Sequence, residues 1–243
     1  MDVEVLYLDN HLLVVAKPPG VLVQADRTGD PDLLSMGKAL LKERFRKPGN
    51  VFLGLVHRLD RPASGVVVFA RTSKAAGRLS DQFRRRIPEK RYLAIVQGAY
   101  SGGTRLVHFL AKQDQRVRVV REDEPGAMRS ELECQVLAQE DKLTLLDVRL
   151  ITGRPHQVRI QCADSGHPLL GDMRYGAQRT LDGRNLALHG YSLGLAHPIG
   201  GGWVSWQVPP PQSWGSWFAR AIAEALVAAA GPRKATIRST DQP

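Results

Sequence analysis

The chain opens with two short apolar runs, residues 3–8 and 12–16, on either side of Asp9-Asn10, a pattern that predicts a β-hairpin. Lys17-Pro18-Pro19-Gly20 closes the second run. Asp30-Pro31 supplies an N-cap and a first-turn proline for a helix reaching about Arg46, with Leu33, Leu34, Leu40, Leu41 and Phe45 inward and Lys47-Pro48-Gly49 as its stop. The β-branched run Val66-Val67-Val68-Phe69-Ala70 reads as a strand. A second helix from Ser73 to about Arg86 turns Ala75, Ala76, Leu79 and Phe83 inward and its arginines outward. Alternation or β-branched runs between turn signals predict strands at 91–97, 104–109, 116–120, 128–138 and 143–150. In one of these, Glu131, Glu133 and Gln135 alternate with Leu132, Cys134 and Val136, as in a half-exposed strand. Pro155 and Gly166 frame a short helix over 155–165, and the Pro198–Gly202 turn joins strands at 186–195 and 203–208. Past Pro209-Pro210-Pro211, an Ala-rich helix spans about 213–230, and the polar, basic residues 231–243 are expected to be a disordered tail. Strands dominate and helices do not alternate with them in βαβ order. The expected fold is α+β, one domain over 1–230 on a mostly antiparallel mixed sheet flanked by helices.

With 243 residues and 43% hydrophobic content the chain can bury a substantial core. Its formal net charge of +10 points to a polyanionic partner. The excess is local: Lys74, Arg78, Arg84, Arg85, Arg86, Lys90 and Arg91 face only Asp81 and Glu89 within residues 74–91, as a phosphate track would require. Cys134 and Cys162 stand far apart with no zinc-type spacing, which argues against a metal module or disulfide framework and fits a reducing cytoplasm. No apolar stretch approaches the ~20 residues of a membrane span, and the acidic start Met1-Asp2-Val3-Glu4 is no signal peptide.

The chemistry concentrates in His57-Arg58-Leu59-Asp60-Arg61-Pro62-Ala63-Ser64-Gly65. One carboxylate lies between two guanidinium groups, an arrangement that favours the ionised form of Asp60 and places it beside phosphates. Gly65 permits a sharp bend into the following strand. Taken alone, Asp60 could equally cap a turn, Tyr92 could be a core residue and Arg159 a surface cation.

The segment resembles the catalytic motif of the RluA-type pseudouridine synthases, and four further stretches agree with it. These are Lys17-Pro18-Pro19-Gly20, Lys90-Arg91-Tyr92, Gly153-Arg154-Pro155-His156-Gln157-Val158-Arg159-Ile160, and Gly166-His167-Pro168-Leu169-Leu170-Gly171-Asp172 with Tyr175-Gly176. The resemblance runs from about residue 3 to about residue 210. It implies an RNA-modifying isomerase in which Asp60 attacks the target uridine, Tyr92 is the active-site aromatic and Arg159 orients the aspartate through a bidentate salt bridge. His57, Arg58, Arg61, Arg154 and His156 would contact the substrate, with Arg58 a candidate to fill the gap left by a flipped base, and His156 a positioning group. Arg84, Arg85, Arg86 and Lys90 would follow phosphates. The reaction needs no cofactor and no metal, in keeping with the lack of Gly-x-x-x-x-Gly-Lys-Ser/Thr, His-Glu-x-x-His and dinucleotide motifs. The partner implied is a stem-loop of ribosomal or transfer RNA, bound by a monomer in the cytoplasm. The chain departs from the family pattern at Ala63, where a threonine hydroxyl is common. Its first strand begins by residue 3, so the family's frequent N-terminal RNA-binding appendage is expected to be missing and target choice to rest on the catalytic domain. The rival readings are a non-catalytic RNA-binding factor on the same fold and an Asp/His hydrolase, the latter opposed by the lack of a nucleophile elbow.

Overall fold

The structure is a computed structural model that describes residues 3–113 and 116–229. The proposed tail, 231–243, and the last residue of the expected C-terminal helix lie outside these. The strands are β1 (Glu4–Leu8), β2 (Leu12–Lys17), β3 (Gly54–Leu55), β4 (Ser64–Ala70), β5 (Glu89–Gln97), β6 (Arg105–Gln113), β7 (Arg116–Val120), β8 (Met128–Glu140), β9 (Leu143–Leu150), β10 (Leu188–Ala196) and β11 (Trp203–Gln207). The helices are α1 (Leu33–Arg44), α2 (Ser73–Arg84), α3 (Gln157–Asp164) and α4 (Ala219–Ala229). The strands form one sheet in the order β1-β2-β4-β10-β5-β9-β8-β6-β7, with β3 added to β4 and β11 to β10. Every pairing is antiparallel except β4 with β10. The α+β expectation holds.

Alternation sorts the helices onto the two faces. Leu12, Val14, Val66 and Val68 pack with Ala75 and Leu79 of α2, while their neighbours Leu13, Val15, Val67 and Phe69 pack with Leu33 and Leu41 of α1. On β5, Tyr92, Ala94 and Val96 face α3, whereas Leu93 and Ile95 meet Trp214 and α4. Leu193, in the α2 core, lies opposite Lys90, two residues from Tyr92 along β5. So α2 and α3 share one face, with the sheet centre between them.

Several sequence expectations shift. Asp32, not Asp30, caps α1 by accepting a 3.0 Å bond from Ser35 N–H, which places Pro31 before the cap. Phe45 points outward at 43% exposure and lies under the Arg71 guanidinium. Two-residue β3 carries too little periodicity to be visible in sequence. In β8 the expected alternation fails at both ends. Glu131 is buried, ion-paired to Arg105 and Arg129, and a register shift between Val136 and Ala138 leaves Val136 exposed. Cys134 is the buried strand thiol anticipated.

Candidate active site

The turn that carries Asp60 joins β3 to β4 and is held chiefly by backbone contacts. Ala63 N–H donates to the Asp60 carbonyl at 3.1 Å, and Gly20 N–H to the Arg61 carbonyl at 2.8 Å. Beneath it lies Lys17, at the end of β2 and 2% exposed. Its Nζ donates to the carbonyls of Pro18, Arg61 and Ala63 at 3.1, 3.0 and 2.6 Å. Those three bonds use all three ammonium hydrogens, so the protonated form ties the turn to the sheet. Burial pulls this ammonium down to about 7, against the opposing pull of the Asp60 charge. The hydroxyl missing at Ala63 costs the turn nothing visible, because Ala63 is itself 1% exposed and contributes its carbonyl and methyl to the core. Gly65 sits at φ +134° where the chain passes Gly190, and a Cβ there would lie 2.3 Å from the Gly190 oxygen.

Asp60 is not held by the guanidinium groups beside it in sequence. Arg61 turns away to Asp30 at 2.6 Å and to the Gly20 carbonyl at 3.0 Å, and Arg58 is exposed. The partner is Arg159, whose Nη1 donates to Asp60 Oδ2 at 3.2 Å. The expected bidentate fork exists but goes to a different acid. Arg159 Nε and Nη2 meet the two Asp172 oxygens at 2.7 and 2.8 Å. Asp172 is buried at 1% side-chain exposure, Arg159 at 6%, and Asp60 opens to 26%. The buried Asp172 thus neutralises and orients the guanidinium, leaving one N–H for Asp60. Tyr175 completes this layer, with its ring 5.1 Å from the Arg159 guanidinium and its hydroxyl 2.7 Å from His156 Nδ1. His156 caps α3 in a left-handed conformation at φ +55°, 3.9 Å from Asp60, and burial lowers its pKa. Lys17, Asp172 and Tyr175 escaped the sequence-based site assignment, although each stood inside a quoted motif.

These groups open into a cleft of about 730 Å3 between α2 and α3. Tyr92 lines its floor from β5, and burial with the Asp60 charge raises its phenol pKa. Arg58, Arg61, Arg84, Arg86, Lys90 and Arg154 line the walls. Burial brings the Lys90 ammonium down to about 8, with Arg86 pushing the same way. Three expected contacts sit differently. Arg85 does not line the cleft and, with Arg84, pairs with Asp81. Arg91, from the same basic run, pairs with buried Asp147. His57 lines the cleft but is part of the framework: its Nε2 accepts a 3.0 Å bond from Val68 N–H, and its ring stacks on Phe83 at 4.8 Å. Burial lowers its pKa to about 3, with Lys90 contributing, so it is neutral. A carboxylate aimed by a buried cation, an aromatic floor and cationic walls suit attack on a flat polar ring attached to a phosphodiester chain.

The RNA pseudouridylate synthase family model matches residues 11–164, which hold Asp60, Tyr92 and Arg159. The chain belongs to that family. It is 31% identical over 211 residues to ribosomal large subunit pseudouridine synthase C of Vibrio parahaemolyticus, covering 84% of this chain and 65% of that protein. It is 34% identical over 230 residues to synthase D of Xanthomonas campestris, covering 87% and 67%. The chain therefore spans only about two thirds of the length of these relatives. The solved structure of human RNA pseudouridylate synthase domain containing 1 superposes with a TM-score of 0.69 at 25% identity, covering 93% of this chain and 95% of that one. The α+β fold is that of pseudouridine synthases.

Proposed function

We propose that this member of the pseudouridylate synthase family converts uridine to pseudouridine in structured RNA, with Asp60 as nucleophile. The observation that carries the reading is Asp60 held by one guanidinium N–H of Arg159, which Asp172 fixes from behind, at the head of a cation-lined cleft floored by Tyr92. The carboxylate attacks the target uridine and the N-glycosidic bond breaks. The detached uracil reorients over Tyr92 and rejoins the ribose through C5, whose hydrogen leaves to solvent as N1 regains a proton. Reactant and product are isomers, so no electron or group is exchanged with a second substrate. Tyr92 stacks on the ring, and its high phenol pKa keeps a proton available there. Arg58 at the exposed rim is placed to fill the stack left by the extruded base. Arg84, Arg86, Lys90 and Arg154 follow the phosphates. The relatives' names favour a ribosomal RNA as substrate. The two buried free thiols, Cys134 and Cys162, favour a reducing compartment such as the cytoplasm.

The test is release of tritium from transcripts of ribosomal RNA labelled at uridine C5. The parent protein releases tritium, and Asp60→Asn abolishes release while keeping RNA affinity within about twofold. Substantial turnover by Asp60→Asn removes Asp60 as the nucleophile. Binding by the parent without tritium release from any transcript points instead to a non-catalytic RNA-binding factor.

A further inference from the structure

A second groove, of about 260 Å3, lies between β7 and α3 and is lined on one side by Tyr175. Val117, Val119 and Ile160 give it an apolar floor, and Arg116, Arg118 and Arg174 border it. Among the described lining residues three arginines stand against a single carboxylate, Asp164, which lies 3.2 Å from His108 Nε2, so these residues give the groove a cationic rim. β7 ends the sheet, and its outer edge has no strand against it among the described residues. An apolar floor with arginines along an open edge is the composition that takes a nucleobase by its face and the adjoining phosphate by its charge.

One side chain links the groove to the residues around Asp60. Tyr175 lines the groove beside Val117, bonds His156 and lies under Arg159. Strand β7 is thereby tied to the layer that aims Asp60. We infer that this groove is a second nucleotide subsite, holding an RNA nucleotide that flanks the target uridine in the chain. The inference rests on the reading that the protein acts on RNA, and adds where specificity beyond the target base is exerted. Cleft contacts to phosphates select no sequence, whereas a base seated against Val117 and Val119 is discriminated by size and stacking.

The experiment uses the full chain and ribosomal RNA transcripts carrying C5-tritiated uridine for rates, or 4-thiouridine for photocrosslinking. In the parent, crosslinks map both to the peptide around Asp60 and to the peptide containing residues 116–120. Arg116→Ala with Arg118→Ala raises KM five- to twentyfold while kcat falls less than twofold. Ala163→Trp, which fills the groove from α3, removes the crosslink at β7 and keeps the crosslink at Asp60. Its far-ultraviolet circular dichroism matches the parent. Tyr175→Phe loses the bond to His156 and lowers kcat more than it raises KM, as a positioning residue does. Crosslinks confined to the Asp60 cleft, with KM unchanged in the double arginine variant, overturn the subsite. If the parent releases no tritium, the proposed activity fails by itself, and the crosslink at β7 still decides whether RNA occupies the groove.

Discussion

At Arg159 the chemistry depends on the shape of a side chain rather than on its charge. The guanidinium makes two bonds to buried Asp172 and a third to Asp60. A lysine supplies a point charge that cannot serve both acids in this geometry. Arg159→Lys should lower kcat on the order of 10²-fold, about 2.7 kcal/mol in the barrier, with a much smaller change in RNA affinity. Single-turnover rates beside filter-binding affinities check this, and an equal loss in both would make Arg159 an RNA contact. His57 sets a dependence on pH. Its folded-state pKa of about 3 lies below the ordinary 6.5, so between those values the unfolded chain holds a proton that the folded chain refuses. Stability contributed by the neutral ring is full above about pH 6.5 and is lost as pH falls toward 3. His189, buried between Ser64 and the Val208 carbonyl and lowered to about 4, acts in the same sense. His57→Gln keeps an acceptor for Val68 N–H but does not titrate. Between pH 7 and pH 5 the variant should lose about 1–2 kcal/mol less stability than the parent in urea unfolding. Parallel losses would show that the His57 ring protonates freely in the folded state.

At the level of elements, the only parallel pairing between strands among the described residues lies beside the Asp60 turn. β4 leaves the Asp60 turn at Ser64 and Gly65 and immediately pairs with His189 and Gly190 of β10. Two backbones without intervening side chains can approach this closely, and the approach fixes the height of Asp60 above Tyr92, which packs against Gly190 from the neighbouring strand. Gly65→Ala meets both obstacles at once, a left-handed φ of +134° and a Cβ 2.3 Å from the Gly190 carbonyl. It should destabilise the fold by about 3 kcal/mol or more, read from the urea midpoint. A loss under 1 kcal/mol would mean that β4 and β10 can separate without cost to the sheet.

For the whole molecule, the +10 charge matters through its placement. The basic run of residues 74–91 divides among a cleft wall, an outer helix face and the pair that Arg91 forms with buried Asp147. Of the arginine triplet at the C-terminal end of α2, only Arg84 and Arg86 line the cleft, and Arg85 sits outside it with Asp81 nearby. Replacing all three with alanine should flatten the slope of log K against log salt by about 2 units, at roughly 0.9 per phosphate neutralised on duplex RNA. Arg85→Ala alone should leave the slope within experimental scatter. An unchanged slope in the triple variant would assign the phosphate track to Lys90 and Arg154 on the other walls.

The sequence by itself determined the longer elements and the family. The continuous apolar run of β5 and the alternation of Leu146, Val148 and Leu150 with Asp147 and Arg149 in β9 are local strings, and so are the motif stretches in which Asp60, Tyr92 and Arg159 could be named from their neighbours. It did not determine which charges meet. Arg58 and Arg61 adjoin Asp60 in the chain, yet the strand that starts at Ser64 turns them toward solvent and Asp30, while α3 brings Arg159 to Asp60 across 99 residues. Asp172, Lys17 and Tyr175 became functional neighbours in the same way. Their roles come from burial and from hydrogen bonds made across the sheet. Side-chain periodicity follows from backbone geometry one residue at a time, whereas electrostatic partnership depends on distance in three dimensions, which only the packing of α2 and α3 on one sheet face establishes.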